Sequence, residues 1–251
     1  MFASLTIITF GIVFVLFRYV SESYSTNPEP ISVNVHIRQL FRNYAIVLKD
    51  KLFIVYVLAG VLILSIELHL VNYTGIRLSN EMPTQTFFQW ELNGSTMMGL
   101  LRSENTILVV LFALLASKIS SGNKDRQTLI WSCLLFTIPF GFMNYFTNIW
   151  LLFLLMFLLT IGEVVRVPID QSYMASLPTS ELRSSYMSLA GMKYNLAMLV
   201  ASVTVMLGAY LSSLIMAILI TATGLVGTLL YLLIGKNLDE RVALESNQIA
   251  G

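Results

Sequence analysis

Residues 52–71 read LFIVYVLAGVLILSIELHLV, a run of twenty residues that follows Lys49-Asp50-Lys51. At ~1.5 Å of rise per residue, a helix of this length crosses a hydrocarbon core of ~30 Å. Its apolar positions do not alternate with polar ones, as those of a barrel strand do. Lipid offers no partner for a backbone amide, so the run predicts a transmembrane α-helix.

Working outward, six more segments have the same character: Phe2–Phe17, Ser95–Ser117, Leu129–Tyr145, Trp150–Val167, Tyr186–Tyr210 and Leu211–Gly235. The chain therefore reads as an all-α, polytopic membrane helix bundle with seven transmembrane helices. Composition agrees: 56% of residues are hydrophobic and 12% charged, with a mean hydropathy of +0.76. Soluble domains carry about 25% charged residues, so a soluble class is excluded. The single cysteine, Cys133, leaves no internal disulfide and no cysteine cluster for a metal.

Charge placement orients the bundle. Arg18, Arg38, Arg42, Lys49 and Lys51 fall between the first two spans, and Lys118, Lys124 and Arg126 between the third and fourth. Arg183 follows the fifth, and Lys236 and Arg241 follow the seventh. Only Arg77 and Arg102 occupy the opposite side, a bias of eleven to two. By the positive-inside rule the amino terminus is outside and the carboxyl terminus cytoplasmic, in a multi-pass protein of the cell membrane. Tyr73, Trp90, Tyr145, Trp150 and Tyr210 are the expected outer aromatic belt, and Tyr19 and Trp131 belong to the inner one. The first segment has no basic stretch before it and no small-residue cleavage site, so it is read as an uncleaved span.

The expected division is a first helix over residues 1–20, a cytoplasmic linker over 21–50, a six-helix bundle over 51–236 and a cytoplasmic tail over 237–251. In the linker, Asn27-Pro28-Glu29-Pro30 breaks any helix. Ile37, Leu40, Phe41, Tyr44 and Leu48 then recur at helical spacing with His36, Arg38 and Arg42 among them, which predicts an amphipathic helix from Val35 to Leu48.

From Thr160 to Gly208 the chain carries Thr160-Ile161-Gly162-Glu163, Pro168, Asp170-Gln171, Ala175, Pro178, Arg183 and Tyr186-Met187, then a span rich in small residues. This stretch resembles the tenth and eleventh helices of the major facilitator superfamily, in its bacterial drug:proton antiporter-like branch. Residues 44–51, Tyr-Ala-Ile-Val-Leu-Lys-Asp-Lys, resemble the approach to that family's seventh helix. Leu101-Arg102-Ser103-Glu104-Asn105 is similar to part of its eighth. The loop Ser117–Thr128 departs from the family's Gly-x-x-x-Asp-Arg-x-Gly-Arg-Arg signature, keeping only Gly122 and Asp125-Arg126. The resemblance implies the carboxyl-terminal half of a twelve-helix fold plus the one helix before it, with a substrate path between two halves.

Ionisable side chains inside a bilayer cost roughly 2.5–3.5 kcal/mol each on insertion scales and usually face a cavity or a partner. Glu67 lies ~24 Å along its helix from Lys51, and Lys193 ~15 Å from Arg183, near the midplane. Glu67, Glu104 and Lys193, with Asn105, are the candidates for a proton or substrate pathway, because carboxylates in low dielectric are the groups that bind and release protons in coupled carriers. Two further readings stand: Arg102 and Glu104 sit in the outer head groups, and Lys193 is a structural counter-ion. Glu163 and Arg166, three residues apart, are expected to pair with each other and to fix the end of the fifth span near Pro168. Asn105 and Asn195 also suit hydrogen bonds between helices. Gly191, Ala197, Ala201, Ser202 and Gly208 form a small-residue face, expected to meet the half that the resemblance implies is absent.

His-Glu-x-x-His and Gly-x-Ser-x-Gly are both missing, and His36 and His69 are too far apart for a metal cluster. The expectation is no enzyme, no catalytic residue, no metal and no cofactor. The expected partners are the lipid bilayer, a small-molecule solute and protons, with no nucleic acid. The resemblance implies a secondary carrier for proton-coupled efflux of a small or drug-like compound. The alternative expectation is a truncated carrier half that needs a separate amino-terminal half or a second copy of itself.

Overall fold

A computed structural model describes residues 2–19, 33–119, 125–178 and 180–250. The break at Asn27-Pro28-Glu29-Pro30 and Gly122 of the signature loop lie outside the described residues. The chain divides into two compact units, residues 1–41 and residues 42–251. The first holds helix α1, Phe2–Tyr19, and the opening turns of α2, Val33–Lys49. Val35, Ile37, Leu40 and Phe41 of α2 are exposed, in keeping with its amphipathic sequence.

The second unit is a helix bundle. Helix α3, Lys51–His69, passes through a π-helical turn, Leu70–Thr74, into α4, Gly75–Glu81. A two-stranded antiparallel hairpin follows, β1 Gln85–Phe87 and β2 Trp90–Leu92. Then come α5 (Gly94–Ile119), α6 (Asp125–Met143), α7 (Ile149–Ser176), a 3₁₀ turn at Ser180–Leu182, α8 (Arg183–Gly208) and α9 (Ser213–Ala250). Each of the seven expected spans coincides with a helix. Among the described residues five helical stretches are long and apolar enough to cross a membrane unaided: Lys51–Glu81, Gly94–Ala113, Ile149–Ser176, Arg183–Gly208 and Ser213–Leu244. The other two expected spans are the helices α1 and α6.

Helix starts follow from capping chemistry. Asp50 Oδ1 accepts from the Phe53 amide at 3.2 Å to open α3, and Asn148 Oδ1 accepts from the Leu151 amide at 3.1 Å to open α7. Asn93 Oδ1 does the same for Thr96 at 2.9 Å, before α5. Pro168 does not end its helix as the sequence reading expects. α7 runs on to Ser176, because membrane-helix packing tolerates the one lost hydrogen bond.

Helices α3 and α7 are the centre of the bundle. α7 packs on α5 and α6, α3 on α8 and α9, and α6 on α9. Half of the apolar window of α3 and of α7 is buried, against 17% for α5 and for α8. Two expectations about faces change. Tyr73 is not in an aromatic belt; it is 7% exposed and lies against Gly208, where a Cβ would sit 2.9 Å from its ring. Ala197 and Ala201 are fully buried within the bundle, since α8 needs small residues to approach α3. The side of α8 left open keeps Gly191 and Ser202 of that face and adds Met192, Tyr194, Met198, Leu199 and Met206.

The far end of the bundle from Asp50 is tied by Arg77. It is 3% exposed and donates to the carbonyls of Met143 (3.1 Å), the last residue of α6, and of Phe146 (3.2 Å) and Tyr145 (2.5 Å) in the turn that follows. Its Nε also pairs with Glu81 at 3.0 Å. A cation at a helix carboxyl terminus further complements the helix dipole. Arg77→Ala is expected to destabilise the bundle by about 2–4 kcal/mol, through buried carbonyls left without donors. Arg77→Lys should recover only part, because an ammonium lacks the planar fork. Thermal melting in detergent with both variants checks this.

Candidate functional site

The centre of the bundle carries a buried ion pair. Lys193 Nζ of α8 lies 3.4 Å from each carboxylate oxygen of Asp170 on α7. Their side chains are 12% and 23% exposed. Tyr56 Oη of α3 donates at 2.7 Å to both the Asp170 backbone carbonyl and its Oδ1, and Tyr231 Oη of α9 donates to Oδ1 at 3.1 Å. The Lys193 ammonium also stands 4.0 Å over the Tyr56 ring, a cation–π contact. Gly60 makes this possible: a Cβ there would lie 3.0 Å from Lys193 Cε. Four helices thus converge on one carboxylate.

One turn toward the start of α7, Arg166 reaches Glu67 of α3, Nη2 to Oε2 at 3.5 Å. Its guanidinium stands 5.3 Å over the Phe136 ring. The expected Glu163–Arg166 pair is therefore corrected. Three residues turn a helix by about 300°, which leaves the two side chains roughly 60° apart. Arg166 faces α3 and α6, while Glu163 faces α5 and accepts from Asn105 Nδ2 at 3.1 Å. Asn105 also donates to Thr160 Oγ1 at 3.0 Å.

The sequence candidates do not all converge on one place. Glu67, Asn105 and Glu163 line a single cavity of ≈ 250 Å³ with Arg102 and Tyr194, between α3, α5, α6, α7 and α8. Lys193 belongs to the Asp170 cluster. Glu104 lies ten residues inside α5, and its Oε2 is buried without a hydrogen-bond partner among the described residues. Among the described residues no cluster of three or more metal-ligating side chains occurs.

At the Asp50 end a second network joins three helices. Asp50 Oδ2 accepts from Arg241 Nη1 at 2.6 Å and from Tyr186 Oη at 2.7 Å. Arg241 Nη2 also donates to Tyr186 Oη at 3.2 Å, and the Tyr186 ring meets Phe53 edge-on at 4.6 Å. Burial pushes the Asp50 carboxyl up, but hydrogen bonds from Tyr186, Arg241 and the Phe53 amide, with the Arg241 charge, hold it below the usual carboxylate range. The folded state therefore favours ionised Asp50. That stability is fully present above the ordinary carboxylate range of about 4 and is lost as pH falls through the lowered native value. The difference in melting temperature between the wild type and Asp50→Asn should be constant from neutral pH down to about 5, then narrow in more acidic buffer.

Sequence reasoning passed over Asp170, Tyr56 and Tyr231. Asp170 lies two residues past Pro168, and a span ended at Val167 puts it in a loop. The available signal was Pro168-Ile169-Asp170-Gln171 without a turn residue after the proline, which allows the helix to continue.

Residues 1–202 match the family described as Major Facilitator Superfamily. The chain is 24% identical over 174 residues to a Na(+), Li(+), K(+)/H(+) antiporter of Planococcus maritimus, an alignment covering 67% of this chain and 41% of the relative. In fold it is similar to a POT family transporter crystallised with a thioalcohol-conjugated peptide, with TM-score 0.63 and 18% identity, over 94% of this chain and 54% of that one. A peptide transporter POT in complex with sulfate gives TM-score 0.59 and 14% identity, over 96% and 52%. The chain thus spans about half the length of the proteins it matches.

Proposed function

This chain belongs to the major facilitator superfamily, and from that premise we propose that it forms the carboxyl-terminal side of a proton-coupled secondary carrier in the cell membrane. The observation that carries the reading is the cavity shared by Glu67, Asn105, Glu163 and Arg102, on the side where α5 and α8 are least covered. Such a wall of ionisable groups in an apolar bundle is expensive unless it faces water, solute or a charged partner. Next to it, the Arg166–Glu67 and Lys193–Asp170 pairs give two carboxylates whose cation partners exchange when a proton or a cationic solute arrives. Small monovalent cations are the first solute class to test, because the relative from Planococcus maritimus carries that name; drug-like compounds are the second. Outward transport is what the family resemblance of the sequence implies; the amino terminus is outside and the carboxyl terminus cytoplasmic, as the eleven-to-two bias of Lys and Arg supports.

A second reading has its own support: the cavity between α5 and α8 is one wall of a path, completed by an opposing set of helices. Solute flux into proteoliposomes under a pH gradient tests both readings. With the chain alone, or with a five-helix amino-terminal half reconstituted beside it, the gradient should drive flux, and Glu67→Gln should reduce that flux at least tenfold. Flux appearing only with the second half supports the second reading. Gradient-driven flux unchanged in Glu67→Gln removes Glu67 from the mechanism.

A further inference from the structure

We infer that Asp170, Tyr56 and Tyr231 form a site for a dehydrated alkali cation, Na⁺ or Li⁺ first, and that the Lys193 ammonium is a tethered stand-in for that ion. The inference rests on the carrier reading for its purpose. It also divides the solute classes named there: the inorganic ion belongs at Asp170, not in the Glu67 cavity.

The donor set is that of a hard monovalent ion. Both carboxylate oxygens of Asp170, its backbone carbonyl and the hydroxyls of Tyr56 and Tyr231 bring five oxygens together from α7, α3 and α9. Tyr56 Oη is 2.7 Å from both the carbonyl oxygen and Oδ1, and Tyr231 Oη is 3.1 Å from Oδ1. Hard cations take oxygen ligands of this kind, charged and neutral together. One carboxylate among neutral oxygens balances one positive charge. A divalent ion would leave a second charge unpaired inside the bundle, which is costly. Tyr56 and Tyr231 are 0% and 1% exposed, while the Asp170 side chain is 23% exposed. The carboxylate can be reached, but its surroundings are closed, which suits an atomic ion and not an organic cation.

Lys193 holds this place loosely. Its Nζ lies 3.4 Å from each carboxylate oxygen, whereas a charge-assisted hydrogen bond closes to ~2.7–2.9 Å. The same ammonium stands 4.0 Å over the Tyr56 ring, so it can yield the carboxylate and keep a cation–π contact. Its flexible stem passes where residue 60 has no side chain: a Cβ there would lie 3.0 Å from Lys193 Cε and 3.1 Å from Cδ and Nζ. Arg166, one turn away on α7, is matched by Glu67. Lys193 is therefore the charge that an incoming ion has to displace.

The test is ion binding by the full chain in detergent, measured apart from flux. Lys193→Ala removes the ammonium, and NaCl or LiCl should then raise the melting temperature more than choline chloride at the same ionic strength. Asp170→Asn/Lys193→Ala should respond to the three salts alike. With the wild type, the sodium NMR resonance should broaden and then narrow again on addition of LiCl, but not of choline chloride. Tyr56→Phe keeps both charges and removes one oxygen, so it should weaken sodium binding about tenfold. That comparison decides the question even where the Lys193 variants fail to fold. A Lys193→Ala melting temperature that follows ionic strength alone overturns the inference. So does a wild type without lithium-sensitive broadening, or sodium binding equal in the wild type and Tyr56→Phe. Lithium-sensitive binding without gradient-driven flux keeps the site and removes the carrier reading. Gradient-driven flux with sodium binding unchanged in Tyr56→Phe does the reverse.

Discussion

Asp170→Asn is expected to destabilise the detergent-solubilised protein by about 3–5 kcal/mol, the usual cost of stranding one partner of a buried ion pair. The amide cannot balance the Lys193 ammonium, which is 12% exposed and hemmed in by Tyr56 and Gly60. Tyr56 and Tyr231, both donors to the carboxylate, would lose a charged acceptor. Lys193→Met should be harmful for the mirror-image reason. The double variant Asp170→Asn/Lys193→Met should be closer to the wild type than either single change, because no charge is then left alone. Thermal melting across this cycle gives the coupling directly. If the pair also serves transport, the double variant should be folded and yet inactive in gradient-driven flux. A folded, fully active double variant would make the pair purely structural.

The second large effect is steric. At Gly162 a Cβ would lie 2.6 Å from the Phe136 amide nitrogen and 2.8 Å from the Ser132 carbonyl oxygen. These are backbone atoms of α6, so no side chain can move aside and the two helices must separate. Gly162→Val is expected to cost about 3 kcal/mol, the upper part of the range for overpacked sites. It should also lower transport more than its stability loss explains, since it sits beside Glu163 and one turn from Arg166, whose guanidinium stands over Phe136. Gly191→Ala is the contrast. Nothing lies within 4 Å of a Cβ there, and alanine is the better helix former by about 1 kcal/mol. Melting temperature and folded yield of the two variants should therefore move in opposite directions.

The spans were legible because a bilayer imposes one strong rule: backbone polar groups must be satisfied within the segment. Glu67, Asn105, Glu163 and Lys193 were legible for a related reason, since a polar residue in an apolar run has few places to go. Partnership was much less legible. Glu163 and Arg166 are neighbours in sequence, yet helix rotation sends one toward α5 and the other toward α3. Arg77 reads as a flanking charge, and only the fold reveals the carbonyls of Met143, Tyr145 and Phe146 at and just past the end of α6. Ala197 and Ala201 announce close packing without saying against which helix. Asp170 was hidden by Pro168, because proline normally ends a helix and a membrane bundle relaxes that rule.

The central claim is that carboxylates within the helices of this bundle, Glu67 first among them, exchange protons against a solute. Its most direct test is a pH-sensitive dye trapped in proteoliposomes holding the chain, with and without a five-helix amino-terminal half. When a gradient of sodium, lithium, potassium or a cationic drug is imposed, the lumen pH should shift for at least one solute. The shift should disappear in Glu67→Gln. No pH change for any solute under either condition, from protein shown to be folded by its melting transition, would contradict the account.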